Sequence, residues 1–131
     1  MKAERDLPKL LSLMSPKLRG GEYVFRSVSR RELGELPAEP VMVFEEEEGY
    51  TVIVPRQMDQ RETETPVWSM ITLTVHSDLQ AVGFIAAVTK ALAAAQISVN
   101  VVSAFYHDHL FVPKGREKSA LAVLKGLAKG T

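Results

Sequence analysis

The chain of 131 residues contains no cysteine, which excludes disulfides and thiolate metal sites and fits a reducing compartment. It has no run of 18 apolar residues, so no segment is expected to cross a bilayer as a helix. The first 30 residues carry Glu4, Asp6, Pro8 and Pro16 and no apolar stretch of signal-peptide length, and a cytoplasmic location is the expectation. Excess charge is lacking too: 16 Lys and Arg balance 16 Asp and Glu, so no overall field draws the chain to nucleic acid or to an anionic membrane. Catalytic signatures are also missing, with no Gly-x-Ser-x-Gly elbow, no Walker or dinucleotide glycine loop and no His-Glu-x-x-His pair. His76 with Asp78 or Asp108 is the nearest acid–base candidate. The chain therefore reads as a non-enzyme that needs no cofactor.

What is present is periodic. A chain of this length buries roughly 65–70% of its unfolded surface, enough for one ordinary domain or two very small ones. Asp6 offers a cap, Pro8 lies in the first turn, and leucines recur at helical spacing, predicting a short helix that ends near Met14. Gly20-Gly21 supplies a turn, and Glu22 to Val28 alternates as a strand. Residues 29–40, with Gly34, Pro37 and Pro40, read as a loop. Val41 to Glu46 and Tyr50 to Val54 flank Glu47-Glu48-Gly49 as a hairpin. Its run Glu45 to Glu48 reads as a solvated face, open to a basic partner or an amine. The charged segment 56–65 marks a boundary between an N-terminal unit, 1–62, and a C-terminal unit, 63–131.

In the second half, Val67 to His76 alternates, with Ile71, Leu73 and Val75 on the apolar face. Ser77 followed by Gln80 has the form of a capping box, and Asp78 suits the positive end of a helix dipole. A helix is expected from there to about Ala95, with Val82, Ile85, Ala86, Thr89, Leu92 and Ala93 as its stripe. Gly83 inside that helix costs roughly 1 kcal/mol relative to alanine, so close packing or a ligand should require its missing side chain. Strands at 97–104 and 109–112 and a terminal helix at 116–128 complete the pattern. The echo between Val52-Ile53-Val54-Pro55-Arg56 and Leu110-Phe111-Val112-Pro113-Lys114 favours two similar α+β units.

The run from Ile71 through His76-Ser77-Asp78-Leu79-Gln80-Ala81-Val82-Gly83 to Ala86, followed by Leu92 to Val99 and Tyr106-His107-Asp108-His109-Leu110-Phe111-Val112-Pro113, resembles the ACT domain. That domain is a ferredoxin-like βαββαβ module that binds amino acids and similar effectors. The first half, from Leu7-Pro8-Lys9 to Tyr50-Thr51-Val52, resembles the partner unit of small stand-alone bacterial proteins with two ACT-like units. The implied fold is α+β, an antiparallel sheet with helices on one face. The first unit lacks a strand before Leu7 and the second lacks one after Ala128. The two units are therefore expected to share or exchange strands, with a sheet edge completed across a dimer.

The resemblance also implies a site. In a ferredoxin-like sheet the end of the first strand lies near the start of the third, which would bring His76 to His107, Asp108 and His109 beside the following helix. An amino acid's carboxylate would meet the free N–H groups of the helix start and its ammonium Asp78 or Asp108. The implied ligand-binding set is His76, Ser77, Asp78, Gln80, Val82, Gly83, His107, Asp108 and His109, with no metal assigned. The expected function is a sensor or regulatory module for a small-molecule effector, an amino acid, in a homodimer that binds neither nucleic acid nor membrane. Two alternatives stand beside it: an interaction protein that dimerises and docks on another enzyme, and a metal-dependent enzyme built on His76, His107 and His109. Plain structural roles are also open, namely a cap for Ser77 and Gln80 and hairpin positions for His107, Asp108 and His109.

Overall fold

Asp6 accepts a hydrogen bond from the backbone N–H of Lys9 and Pro8 stands in the first turn, so helix α1 opens at Leu7 and runs to Leu13. In the computed structural model it is followed by β1 (Pro16–Leu18), β2 (Tyr23–Val28), α2 (Arg30–Gly34), β3 (Met42–Glu46), β4 (Gly49–Pro55), β5 (Trp68–Leu73), α3 (Phe84–Ala94), β6 (Asn100–Ser103), β7 (Asp108–Pro113) and α4 (Glu117–Ala128). The structure describes residues 2–58 and 65–130. The middle of the charged segment 56–65 lies outside them, and its start is a 3-10 turn at Arg56–Met58. Contacts group the chain into two compact units, Gly21–Trp68 and a unit that joins Met1–Gly20 to Ser69–Thr131.

In the Gly21–Trp68 unit, β2 pairs antiparallel with β4 and β4 with β3, in the order β3-β4-β2. Alternation turns Val24, Val28, Val52 and Val54 to one face, where Leu33 and Leu36 pack on them. Within residues 29–40, expected as a loop, Arg30–Gly34 is a helical turn and only the remainder, with Pro37 and Pro40, is irregular. Ser29 Oγ accepts from the Glu32 N–H at 3.1 Å while Glu32 Oε1 accepts from the Ser29 N–H at 2.9 Å, and this capping box starts α2. One helical turn is too short to show a period, so Gly34, Pro37 and Pro40 hid it. In the β3–β4 hairpin Gly49 has φ +147°, and a Cβ there would lie 2.9 Å from the Val28 carbonyl oxygen. Only glycine fits.

In the other unit β1 pairs antiparallel with β5, from Pro16↔Leu73 to Leu18↔Ile71. β5 neighbours β7, which pairs antiparallel with β6, and the order is β1-β5-β7-β6. A βαββαβ unit that begins at β5 needs a closing strand after α4, and β1, from far upstream, takes that place. This is strand sharing of the expected kind. The period-2 positions Ile71, Leu73, Val75, Leu110 and Val112 share a core with Leu10 of α1, Val88 and Leu92 of α3 and Leu124 of α4. Helix α3 differs from expectation: it starts at Phe84, and its buried residues are Phe84, Val88 and Leu92. Val82, assigned to the apolar stripe, lies outside the helix and is 85% exposed.

Candidate functional site

Between β5 and α3 the chain makes a loop, and the N-terminal segment holds it. The Glu4 N–H donates to the His76 carbonyl at 2.9 Å, and the Glu4 carbonyl accepts from the Asp78 N–H at 2.8 Å. Arg5 then brackets the loop, with Nε 3.0 Å from Asp78 Oδ2 and a terminal nitrogen donating to Gln80 Oε1 at 2.8 Å. Asp78 Oδ1 accepts from the Gln80 N–H at 2.7 Å. That backbone bond, and next the Arg5 hydrogen bond, hold the Asp78 carboxyl below its ordinary range.

These contacts explain why the capping box at Ser77 and Gln80 does not form. The Ser77 hydroxyl donates to Asp108 Oδ2 at 3.0 Å, and the Asp78 side chain closes a local turn on Gln80 that competes with helix. The helix waits for Gly83, which is its N-cap and not a mid-helix residue. Gly83 has φ +94°, and a Cβ on it would meet Leu7 Cδ2 at 3.4 Å. Gly83→Ala should therefore destabilise the fold by about 1–2 kcal/mol. A urea titration reads this directly, and an unchanged midpoint would mean that the loop takes another conformation without cost.

The helix start encloses a cavity of about 160 Å³ lined by Ser77, Asp78, Leu79, Ala81, Gly83, Phe84, Ile85, Ala86, Ser103 and Asp108. Asp108 is 5% exposed, and among the described residues no Lys or Arg lies within ion-pair distance of it. The first intrahelical bond of α3 runs from Ala87 to the Gly83 carbonyl, which leaves the N–H groups of Phe84, Ile85 and Ala86 without helical partners. Ser103 reaches the cavity because it stands opposite Asp108 in the β6–β7 register. A neighbouring depression of about 350 Å³ is lined by Ala3, Arg5, His76, Ser77, Asp78, Leu79, Gln80 and Phe105. Exposed Leu79, Val82, Phe105 and Tyr106 belong to these two loops.

The two strand ends thus meet, through Ser77–Asp108 and through His76, whose ring lies 5.2 Å from that of Tyr106. His76 Nδ1 is buried without a hydrogen-bond partner. His107 and His109 do not join this group. Asp108 shares the helix-facing side of β7 with Leu110 and Val112, and the pleat sends His109 to the other side. There its Nδ1 lies 2.9 Å from Thr72 Oγ1, and its ring centroid is 6.4 Å from that of His107. Among the described residues no three His, Asp or Glu side chains are grouped to hold a metal ion.

Burial pushes His109 below its ordinary value of 6.5, the charges of His107 and Arg19 add to this, and Asp108 opposes it. The unfolded chain therefore takes the proton first. The contribution of His109 to stability is whole above about pH 6.5 and shrinks as pH falls from there toward the lower folded value. Urea midpoints at pH 7.5 and 5.5 should differ less in a His109→Asn variant than in the parent, and equal differences would remove this assignment.

Three residues of the site carried no usable signal in the sequence. Arg5 and Glu4 act on a loop more than 70 positions away. Ser103 was accessible only through the hairpin register opposite Asp108.

Residues 2–63 and residues 66–126 each match a family model described as an ACT domain. None of the functionally curated proteins matches. A solved structure from Vibrio cholerae, a protein of unknown function described as a possible transport protein, is similar with TM-score 0.77 and 40% identity over 88% of this chain and 91% of its own. A protein from Agrobacterium tumefaciens is similar with TM-score 0.65 and 17% identity, over 88% and 89% of the two chains. The ligand-free regulatory subunit of aspartate kinase from Thermus thermophilus has TM-score 0.64 and 9% identity, over 86% and 95%. At such identities these last two show a shared fold.

Proposed function

The chain belongs to the ACT domain family, and from that premise we infer that it is a regulatory module without catalysis of its own that binds an amino acid at the start of α3. The observation that carries the reading is Asp108, a buried carboxylate without a cationic partner among the described residues, in a cavity that also holds the N–H groups of a helix start. A buried charge is costly unless paired. An α-ammonium would pair it, and the α-carboxylate would accept from the N–H groups of Phe84, Ile85 and Ala86 at the positive end of the dipole. Ser77 orients Asp108 by its hydrogen bond, while Asp78 and Gln80, engaged by Arg5, shape the loop. A volume of about 160 Å³ is below that of a pocket for a drug-sized molecule and suits a small zwitterion.

A second reading has its own observation. Exposed Leu79, Val82, Phe105 and Tyr106 in the two loops form an apolar group suited to a protein interface, here a second copy of the chain. A panel of the twenty amino acids separates the two. A ligand present at 100 times its dissociation constant stabilises the folded state by about 2.7 kcal/mol, a rise in melting temperature of order 10 °C for a chain of this size. No shift with any amino acid removes the first reading. A dimer that dissociates in a Leu79→Ser, Phe105→Ser variant then supports the second.

A further inference from the structure

On the side of the Ser69–Thr131 unit's sheet away from its helices, polar residues cluster at one end, beside the buried Phe111 and Thr72. Lys17 of β1 stands opposite Thr72 of β5, and Thr72 Oγ1 lies 2.9 Å from His109 Nδ1 on β7. Directly opposed residues have their side chains on one face, roughly 5 Å apart at Cβ. Arg19 follows Lys17 by two positions, on the same side of the strand, and its N–H donates to the Met70 carbonyl at 2.8 Å. His107 lies 6.4 Å from His109, ring to ring.

Among the described residues this face is short of negative charge. At the alternating positions of β1, β5, β7 and β6 that share it there is no Asp or Glu, and Asp108 points to the opposite side. Arg5, Arg31 and Arg56 have carboxylates at 3.0, 3.6 and 3.0 Å. Among the described residues Lys17 and Arg19 have none within ion-pair distance.

We propose that Lys17, Arg19, His107 and His109 form a binding site for a small multivalent oxyanion, separate from the cavity at the start of α3. Lys17 and Arg19 supply permanent charge and forked or ammonium donors. When the Thr72 hydroxyl donates to His109 Nδ1, the ring proton lies on Nε2 and serves as a further donor; a second proton then turns Nδ1 toward Thr72 as donor and adds charge. Burial is the first cause that holds His109 below its ordinary value, the charges of His107 and Arg19 add to it and Asp108 behind it opposes, so an anion beside the ring offsets the part that comes from His107 and Arg19. Binding and protonation of His109 therefore promote each other.

Sulfate is the probe, because it stays a dianion from pH 5 to 8, titrated against chloride at constant ionic strength. Imidazole NMR should show saturable shifts at His107 and His109 and not at His76, a higher apparent pKa for His109 with sulfate, and tighter binding at pH 6 than at pH 8. Lys17→Gln with Arg19→Gln should weaken binding on the order of tenfold or more. Both side chains are exposed, so the fold is retained, which circular dichroism verifies, and the response to amino acids stays as in the parent. Shifts that grow linearly without saturation, shifts of equal size at His76, or an affinity unchanged in the double variant would each overturn the site.

Discussion

Truncation of Leu10 to alanine should destabilise the protein by about 2–5 kcal/mol. Leu10 is fully buried and is part of the same core as Ile71, Leu73, Val88 and Leu124. It lies on a helix of seven residues, too short to persist in water by itself, so docking supplies its order. Leu13 of the same helix is 61% exposed, and Leu13→Ala should change stability by no more than about 0.5 kcal/mol. Urea unfolding of the two variants checks both values. If Leu10→Ala cost as little as Leu13→Ala, α1 would be an appendage and the Ser69–Thr131 unit would not depend on the N-terminal segment. The matter bears on the site, because Glu4 and Arg5 lead directly into α1 and hold the loop at Asp78.

Elements whose signal is a period were legible from the residues. The alternation that places Ile71, Leu73 and Val75 on one face puts all three in the core, because burial of one face is what the period encodes. Strand sharing was legible for a different reason: an open sheet edge exposes backbone groups, and β1 of the upstream segment covers that edge of β5. Local capping signals were less decisive. Ser29 with Glu32 and Ser77 with Gln80 have the same spacing, yet only the first forms a capping box. What separates them is tertiary. Ser77 has Asp108 to donate to, and Arg5 holds the loop in a turn. Neither partner is near in sequence, so the helix starts at Gly83 and its free N–H groups lie there, not at Ser77. The histidines show the same limit. Family topology brought the two strand ends together, but the one-residue pleat of β7 placed Asp108 at the cavity and His109 against Thr72.

Asp108→Asn should leave the ligand-free protein as stable as the parent or more so, while removing the response to amino acids. Asparagine keeps the shape, and its carbonyl oxygen can still accept from Ser77, whereas the buried, unpaired charge is gone. With ligand the balance reverses. Loss of one partner of a buried charge pair costs about 2–5 kcal/mol, and at about 2.7 kcal/mol affinity falls on the order of 100-fold. A ligand concentration of 100 times the parent's dissociation constant would then equal that of the variant. The stabilisation would drop from about 2.7 to about 0.4 kcal/mol. The opposite signs matter, since a merely structural Asp108 would lower the stability of both states together. Should the variant keep the full ligand shift, the ammonium is held elsewhere, and Asp78 released from Arg5 becomes the carboxylate to test, with Arg5→Ala expected to tighten binding.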